Sequence, residues 1–230
     1  MKFENYRMSI VIPAKNAENT IEPFLRDLLK SFPKSEIIVI CNNCTDRTYE
    51  VVNGIKSKNI ININTPRRIG KGGAILAGLK LASRDIVGFA DADWSFDSND
   101  VKEVSRWVGD YDCAIASKWK GKKFGRVNWP LRRKLLGRVW NSFVKFLLRL
   151  QIEDTQAGLK FFKKKVYKSI DKNFLCRGFD FDVEFLYKVH KMGFSIKEVF
   201  VEPRIEAKST FSMFEIPEML LRLLILPFRN

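Results

Sequence analysis

The sequence has few of the residues that bind zinc or form disulfides. It contains four cysteines and one histidine among 230 residues. Cys41 and Cys44 have Cys-x-x-Cys spacing, but the other cysteines and His190 lie singly along the chain, whereas a structural zinc site needs a second pair of ligands. A redox pair of the thioredoxin type would follow a different βαβ context. We therefore expect Cys41 and Cys44 to be loop residues beside a ligand, in a chain kept reduced in the cytoplasm.

Long apolar runs are also missing. A membrane span needs roughly 18 apolar residues, and the longest candidate, Met219 to Phe228, is interrupted by Arg222 and Pro227. The first residues are charged and lack the apolar core of a secretory signal. No linker, internal repeat or low-complexity segment divides the chain. We expect residues 1–230 to form a single domain that does not cross a bilayer, with ample apolar residues for a core.

Acidic residues are scarce compared with basic ones. The chain has 26 Asp and Glu against 41 Lys and Arg, a formal net charge of +15. This excess predicts attraction to polyanions, namely nucleic acid, an anionic membrane surface or phosphorylated substrates. No nucleic-acid-binding motif is present, and the basic residues cluster near predicted apolar helices. The charge therefore favours a membrane surface and phosphorylated substrates over nucleic acid.

Apolar segments that favour strands alternate with helical segments along the first hundred residues. The predicted strands are Met8–Ile12, Glu36–Ile40, Ile60–Ile63 and Ile86–Ala90. Three helices are predicted in this part of the chain. The first begins near Ile21, the second runs from Thr45 to Lys56 with Thr45 or Asn43 as the cap, and the third ends near Leu81. This alternation at short intervals predicts an α/β fold with a Rossmann-like, mostly parallel sheet.

The second half of the chain adds further strands and two apolar, basic helices. The additional predicted elements are strands at Cys113–Ser117, Phe161–Phe162 and Ile196–Val201 and a helix from Phe181 to about Lys191. Leu135–Leu150 and Phe211–Phe228 are predicted amphipathic helices with lysines and arginines beside broad apolar faces. Such helices are typical of a membrane surface, and packing in the core explains them equally well.

Three loops follow the carboxyl ends of predicted strands: Pro13–Ala17, Cys41–Asp46 and Asp91–Asp97. In a parallel sheet these ends meet at one edge, where open α/β sheets bind ligands. Asp91 and Asp93 stand two residues apart there, and two unpaired carboxylates so close repel each other. A hard cation such as Mg²⁺ removes that repulsion, so we expect a metal site. The alternative is a capping Asp93 beside a solvated Asp91.

The Gly70–Gly73 segment, Gly-Lys-Gly-Gly, precedes a predicted helix. A lysine and free backbone N–H groups at a helix start suit a phosphate group. The segment lacks the spacing of a Walker A loop and of a dinucleotide fingerprint. An ordinary turn is the alternative.

These motifs, in this order, resemble those of family-two inverting glycosyltransferases of the GT-A fold, in particular the polyprenyl-phosphate (dolichyl-phosphate) hexosyltransferases. Seven segments carry the resemblance, which covers nearly the whole chain: Ile12–Asn16, Cys41–Thr48, Gly70–Ala74, Asp91–Asp93, Ser117–Lys118, Asp154–Lys160 and Phe181–Glu184. The Asp154–Lys160 segment, Asp-Thr-Gln-Ala-Gly-Leu-Lys, is similar to the Asp-Thr-Gln-x-Gly-Phe-Lys motif of the dolichyl-phosphate glucosyltransferase branch. The resemblance implies a GT-A fold with a mostly parallel central sheet and C-terminal amphipathic helices.

The resemblance also implies a reaction and a set of site residues. A hexose would move from a nucleotide diphosphate sugar to a polyprenyl or dolichyl phosphate, with Mg²⁺ or Mn²⁺ on Asp91 and Asp93. The nucleotide sugar would be bound in the half formed by residues 1–117, by Pro13, Lys15, Asn16, Cys41, Asn42, Asp46, Lys71, Gly72 and Asp91. The acceptor phosphate would be bound in the half formed by residues 118–230, by Lys118, Arg132, Arg133, Arg204 and Lys208. The implied catalytic residues are Asp93, Asp182 and Glu184, although charge at a helix N-terminus also explains the last two.

Several positions depart from the family pattern. Lys15 and Ala17 replace a tyrosine and a glutamate, and Cys41 replaces an acid. Because those positions usually help to hold the base and ribose, the donor stays open between UDP-glucose and GDP-mannose. Lys118 replaces an arginine, which keeps the charge but loses the bidentate fork for phosphate.

Three other functions fit part of the pattern. An enzyme of the same fold that glycosylates a sugar hydroxyl would need a general base, for which Asp182 or Glu184 would serve. A nucleotidyltransferase would usually carry a glycine- and arginine-rich loop, which is absent after Ile12. A basic nucleic-acid-binding domain is the alternative outside enzymes. If the chain transfers a hexose to a polyprenyl phosphate, we expect a cytoplasmic protein peripheral on the inner face of the membrane.

Overall fold

The computed structural model describes residues 7–119, 131–202 and 215–229. The strands in these ranges are Met8–Ala14 (β1), Glu36–Asn42 (β2), Ile60–Thr65 (β3), Ile86–Ala90 (β4), Cys113–Ser117 (β5), Leu159–Lys163 (β6) and Ile196–Phe200 (β7). The helices are Ile21–Ser31 (α1), Thr48–Gly54 (α2), Gly70–Leu81 (α3), Ser98–Ser105 (α4), Leu131–Leu148 (α5), Lys164–Ser169 (α6), Phe181–Lys191 (α7) and Ile216–Ile225 (α8), with a 3-10 turn at Leu226–Phe228.

The strands form one sheet in the order β3-β2-β1-β4-β6-β5-β7. β1 is parallel to β2 and β4, β2 is parallel to β3, and β5 is parallel to β7. β6 runs antiparallel to both its neighbours, β4 and β5. The α/β fold with a mostly parallel sheet is thus confirmed. Because β6 is reversed, it begins at the edge of the sheet where β4 ends.

Side chains that alternate along the strands pack into two cores, one on each face of the sheet. On β1, Ile10 and Ile12 belong to the first core and Val11 belongs to the second. Phe24 of α1 packs into the first core, and Phe185 of α7 packs into the second. Burial on both faces explains why these strands are continuous apolar runs in the sequence.

α2 begins three residues later than the sequence predicts. The N–H of Thr45, the first residue of the predicted helix, donates to Asn16 Oδ1 (2.9 Å). The carboxylate of Asp46 accepts hydrogen bonds from the N–H and the hydroxyl of Thr48 (3.1 and 2.5 Å). These bonds hold residues 45 and 46 in the loop, so the prediction of Thr45 or Asn43 as the cap is wrong.

The sequence prediction omitted α4, which follows the Asp91–Asp97 loop. The side chain of Asp97 accepts the N–H groups of Asn99 (2.8 Å) and Asp100 (3.1 Å). The carboxylate of Asp100 accepts the N–H of Asp97 in return (2.9 Å), which completes a capping box. A polar run that suggests only a turn is therefore the start of a helix.

α5 and α8 each bury one face and expose the other. Val144 of α5 and Leu223 of α8 are fully buried in the second core. Phe146 of α5 is 88% exposed, and Phe228, just after α8, is 86% exposed. Residues 211–214 of the predicted last helix lie outside the described residues. No helix in the described ranges has the length and apolar character needed to cross a membrane.

Candidate active site

Asp91 and Asp93 directly follow β4, at the edge where β6 begins. The N–H of Asp91 donates to the carbonyl oxygen of Gly158 (2.9 Å), the residue before β6. A Cβ atom at position 158 would lie 1.8 Å from Asp91 Oδ2. Only glycine lets this loop pass so close to the carboxylate, which explains the glycine in the Asp154–Lys160 motif.

The ammonium group of Lys71 lies between two carboxylates. Its Nζ is 2.8 Å from Asp91 Oδ1 and 3.3 Å from Asp182 Oδ2. The Lys71 side chain is 11% exposed and that of Asp182 is 1% exposed. Little water reaches this contact, so the opposite charges interact more strongly than at a surface.

A second buried lysine holds the other oxygen of Asp182. Lys160, the second residue of β6, is 0% exposed, and its Nζ lies 2.6 Å from Asp182 Oδ1. The same Nζ donates to the carbonyl oxygen of Ala157 (2.6 Å). Asp91, Lys71, Asp182 and Lys160 thus form a row of alternating charges, called here the Asp–Lys chain.

Burial and these charge pairs shift the pKa values of the two acids in opposite directions. Burial raises the pKa of Asp91, with help from the nearby charges of Asp93 and Asp182, although Lys71 opposes the shift. Burial also acts to raise the pKa of Asp182, but Lys160 and Lys71 outweigh it and hold that pKa below its usual value. Asp182 is therefore a firmly ionised group and a poor proton acceptor at neutral pH.

The two carboxylates after β4 offer oxygen ligands of the kind that a hard divalent cation takes. Asp93 is half-buried, and its Oδ1 accepts the N–H of Ser95 (3.0 Å). No group of three or more acidic, cysteine or histidine residues converges on one point in the part of the chain that the structure describes. An ion on Asp91 and Asp93 would thus take further ligands from water and phosphate, as Mg²⁺ commonly does. It would compete with Lys71, which now contacts both oxygens of Asp91.

The Gly-Lys-Gly-Gly segment is the first turn of α3, and two of its N–H groups are already bonded within the protein. The N–H groups of Gly72 and Gly73 both donate to the carbonyl oxygen of Arg177 (2.8 and 3.4 Å). A Cβ atom at position 72 would lie 2.4 Å from the Cβ of Phe181, so glycine is needed where α3 meets α7. The N–H of Gly72, which we expected to be free for the donor, is instead bonded to Arg177. What the segment provides is the position of Lys71.

Glu184 does not join the Asp–Lys chain. Its carboxylate accepts the N–H of Cys176 (2.7 Å) and pairs with Lys188 (3.1 Å), and its side chain is 1% exposed. Two residues along a helix turn the side chain by about 200°, so Asp182 and Glu184 point in different directions from α7. Glu184 secures the segment before α7 instead.

The first two loops expected to bind the donor are bonded to each other. Asn16 bonds to Thr45, and Asp46 accepts the N–H of Glu18 (3.1 Å). Asn42 Oδ1 accepts the N–H of Ile69 (2.9 Å), just before α3. The other expected donor residues are Pro13 and Lys15, both half-buried, and Cys41, which is buried.

Of the acceptor residues expected from the sequence, Lys118 is described in full. Its N–H donates to Asp154 Oδ2 (3.0 Å), and its Nζ lies 3.9 Å from the same oxygen. The side chains of Arg132 and Arg133, and residues Arg204 and Lys208 entirely, lie outside the described residues.

Sequence reasoning missed Lys160 as a site residue. The feature of the sequence that could have identified it is a lysine within the apolar run Leu159–Phe162, which forms a strand buried on both faces. It also missed Asp180, a fully buried acid that accepts a hydrogen bond from Arg222 of α8 (2.6 Å). Asp180 has no such signal in the sequence, because its partner lies in a distant helix.

The model of the family described as "Glycosyl transferase family 2" matches residues 9–171. The chain is 28% identical over 213 residues to Glycosyltransferase AglD of Haloferax volcanii, covering 87% of this chain and 34% of AglD. It is 25% identical over 201 residues to polyprenol monophosphomannose synthase of Mycolicibacterium smegmatis, covering 84% of this chain and 76% of that protein. The chain therefore spans about a third of the first relative and about three quarters of the second.

The fold matches that of glucosyl-3-phosphoglycerate synthase from Mycobacterium tuberculosis, solved in complex with Mn²⁺, uridine diphosphate and phosphoglyceric acid. The TM-score is 0.72 at 19% identity, over 97% of this chain and 78% of that one. This likeness establishes the architecture.

Proposed function

Because the chain belongs to glycosyl transferase family 2, we propose that it transfers a hexose from a nucleotide diphosphate sugar to a polyprenyl phosphate, with inversion at the anomeric carbon. A relative that matches 84% of this chain is a polyprenol monophosphomannose synthase, which supports a lipid phosphate as the acceptor. The carboxylates and Lys71 at the end of β4 supply the charges that a diphosphate donor requires.

The ion pairs and hydrogen bonds of the two acids on α7 indicate which kind of acceptor reacts. A sugar hydroxyl must lose a proton to react, so its transfer needs a general base. Asp182 holds a lysine on each oxygen, and Glu184 is bound to Cys176 and Lys188. Neither acid is available as a base in this arrangement. A phosphate acceptor is already anionic at neutral pH and needs little base catalysis, which favours a lipid phosphate over a hydroxyl.

Asp91 and Asp93 would hold Mg²⁺ or Mn²⁺. When bound, the cation would act as a Lewis acid that neutralises the charge gained by the leaving nucleoside diphosphate. Lys71 adds a positive charge at the same place, and Asp182 and Lys160 fix its direction.

The acceptor phosphate needs cations of its own, because it must approach another anion. Lys118, at the end of β5, is one candidate, and its link to Asp154 fixes its backbone near the Asp154–Lys160 loop. Arg132, Arg133, Arg204 and Lys208 are the others, on the strength of their place in the sequence.

The test of this function is a screen of nucleotide sugars against a polyprenyl phosphate, with Mg²⁺ or Mn²⁺ present. We expect a glycosylated lipid phosphate, with UDP-glucose as the first choice of donor, because of the Asp154–Lys160 motif, and GDP-mannose as the second. A clean preference for GDP-mannose would overturn the choice of donor. Transfer to sugar hydroxyls but never to the lipid phosphate would overturn the acceptor.

The exposed apolar side chains of α5 and α8 would bring the site to the lipid. Phe146 and Leu135 of α5 and Leu221 of α8 are exposed, as is Phe228 after α8. Arg222 of α8 bonds to Asp180, close to the Arg177 carbonyl that accepts two N–H groups of α3. A membrane surface in contact with α8 would therefore lie close to the Asp–Lys chain. We propose that these helices rest on the membrane surface.

We expect the protein to sediment with anionic liposomes, and the bound fraction to fall as salt rises. Each basic residue near anionic lipid adds roughly 1 kcal/mol, which salt screens. The double variant Phe146→Ser with Phe228→Ser should bind much less. Leu81→Ser is the matched control, since Leu81 is also an exposed apolar residue but belongs to α3 and not to α5 or α8. Equal binding by the double variant and the control would contradict membrane docking through these helices.

A further inference from the structure

Cys41 and Cys44 lie together where β2 passes into the loop before α2. Cys41 is buried at the end of the strand, and Cys44 is half-buried in the loop. Asn43, between them, has φ of 52°, in the left-handed region that turns the chain back on itself. The two thiols consequently lie beside each other, and the Cys41 thiol also donates to Asn62 Oδ1 (3.4 Å).

The surroundings of Cys44 favour its thiolate form. Its sulfur lies near three polar groups that lower its pKa, namely the thiol of Cys41, the N–H of Asn16 and the hydroxyl of Thr48. As a thiol it donates to the carbonyl oxygen of Ala14 (3.5 Å). The interaction with Cys41 is the largest cause that lowers the pKa of Cys44, while burial and the charge of Asp46 oppose the shift. A thiolate is the form of cysteine that attacks disulfides and alkylating agents.

Cys41 is more buried than Cys44, and its pKa is shifted in the opposite direction. Its bond to Cys44, its burial and the nearby acids Asp46 and Glu50 raise its pKa. Cys41 therefore keeps its proton while Cys44 is ionised. Its sulfur lies beside the Cys44 sulfur, which is the atom that it must attack to release a thiol bound to Cys44.

The remaining two cysteines offer internal controls. Cys113 is buried in β5, where burial raises its pKa to about 12. Cys176 is also buried, and its burial together with Asp180 and Glu184 raises its pKa. Both should be inert in the folded protein.

We propose that Cys41 and Cys44 form a thiol-modification site, at which Cys44 reacts with small-molecule disulfides and Cys41 resolves the product to an intramolecular disulfide. The Cys44 thiolate attacks one sulfur of the small disulfide, forms a mixed disulfide and releases one thiolate. Cys41 then loses its proton to solvent, and its sulfur attacks Cys44, which releases the second thiolate. The two cysteines are oxidised and the small disulfide is reduced to two thiols.

Oxidised glutathione is the probe for this site, applied in excess to the folded protein at neutral pH. Peptide mass mapping should find a Cys41–Cys44 disulfide in the native chain. The Cys41→Ser variant should instead hold glutathione on Cys44, because no second thiol can release it. The Cys44→Ser variant should form neither product. Native chain that carries glutathione on Cys44 without the internal disulfide would overturn the role of Cys41, and absence of both products would overturn the site.

Alkylation by iodoacetamide gives a second readout that does not depend on disulfide stability. We expect Cys44 to be labelled before the other three cysteines, with a rate that rises at a pH below the ordinary cysteine value of about 8.5. Labelling of Cys44 no faster than that of Cys113 or Cys176 would overturn the proposal. Neither readout requires sugar transfer, so the proposal can fail or succeed independently of the proposed function.

Discussion

Replacement of Asp93 by alanine should lower the rate of sugar transfer by about a hundredfold or more, as loss of a major electrostatic stabiliser does. Asp93 is the clearer of the two carboxylates to test. Asp91 contacts Lys71 through both oxygens and packs against Gly158, so its loss would also disturb the fold. Asp93 is half-buried, and its carboxylate accepts the N–H of Ser95.

Asp85→Ala is the matched control, because Asp85 is an exposed acid that directly precedes β4 while Asp93 follows it. It should transfer sugar at nearly the native rate. Binding of Mn²⁺ in the presence of UDP, measured by calorimetry, should weaken in Asp93→Ala and not in the control. Excess chelator should abolish transfer by the native protein. Full activity in chelator would remove the metal from the mechanism.

Replacement of Lys160 by methionine should lower the free energy of unfolding by about 3–5 kcal/mol, the usual result of removing one partner from a buried ion pair. Methionine fills similar space, so the effect comes from charge. Without Lys160, Asp182 Oδ1 loses a contact of 2.6 Å, and the buried carboxylate keeps Lys71 alone at 3.3 Å. Urea denaturation provides the measurement.

Lys163→Met is the control on the same strand. Lys163 pairs with Asp112 at 3.3 Å but is 30% exposed, and pairs near the surface contribute about 1 kcal/mol or less. Adding Asp182→Asn to Lys160→Met should cost less than the two single changes together, because the unpaired charge is then gone. If Lys160→Met unfolds no more easily than Lys163→Met, the Asp–Lys chain does not stabilise the fold.

Local sequence patterns were sufficient for the framework of the sheet. The apolar run before Asp91 predicted a buried strand, and the structure has β4 at Ile86–Ala90. The predicted helix from Phe181 to Lys191 is α7. Errors arose where single side-chain hydrogen bonds decide where a helix begins: Asp46 and Asn16 delay α2, and the capping box of Asp97 starts α4. Periodicity describes which faces are apolar and is blind to such single hydrogen bonds.

The sequence by itself determined the α/β order of elements, the family pattern and the place of Asp91 and Asp93 at a strand end. These follow from composition and short spacing, which act over a few residues. Only the tertiary structure decided that Lys71 pairs with Asp182, that Lys160 holds the other side of that acid, and that Glu184 faces Cys176. Such pairings join segments that are far apart in the chain, and which acid meets which lysine depends on how helices cross the sheet. Burial and these pairings together set the charge state of each group, and both exist only once the chain has folded.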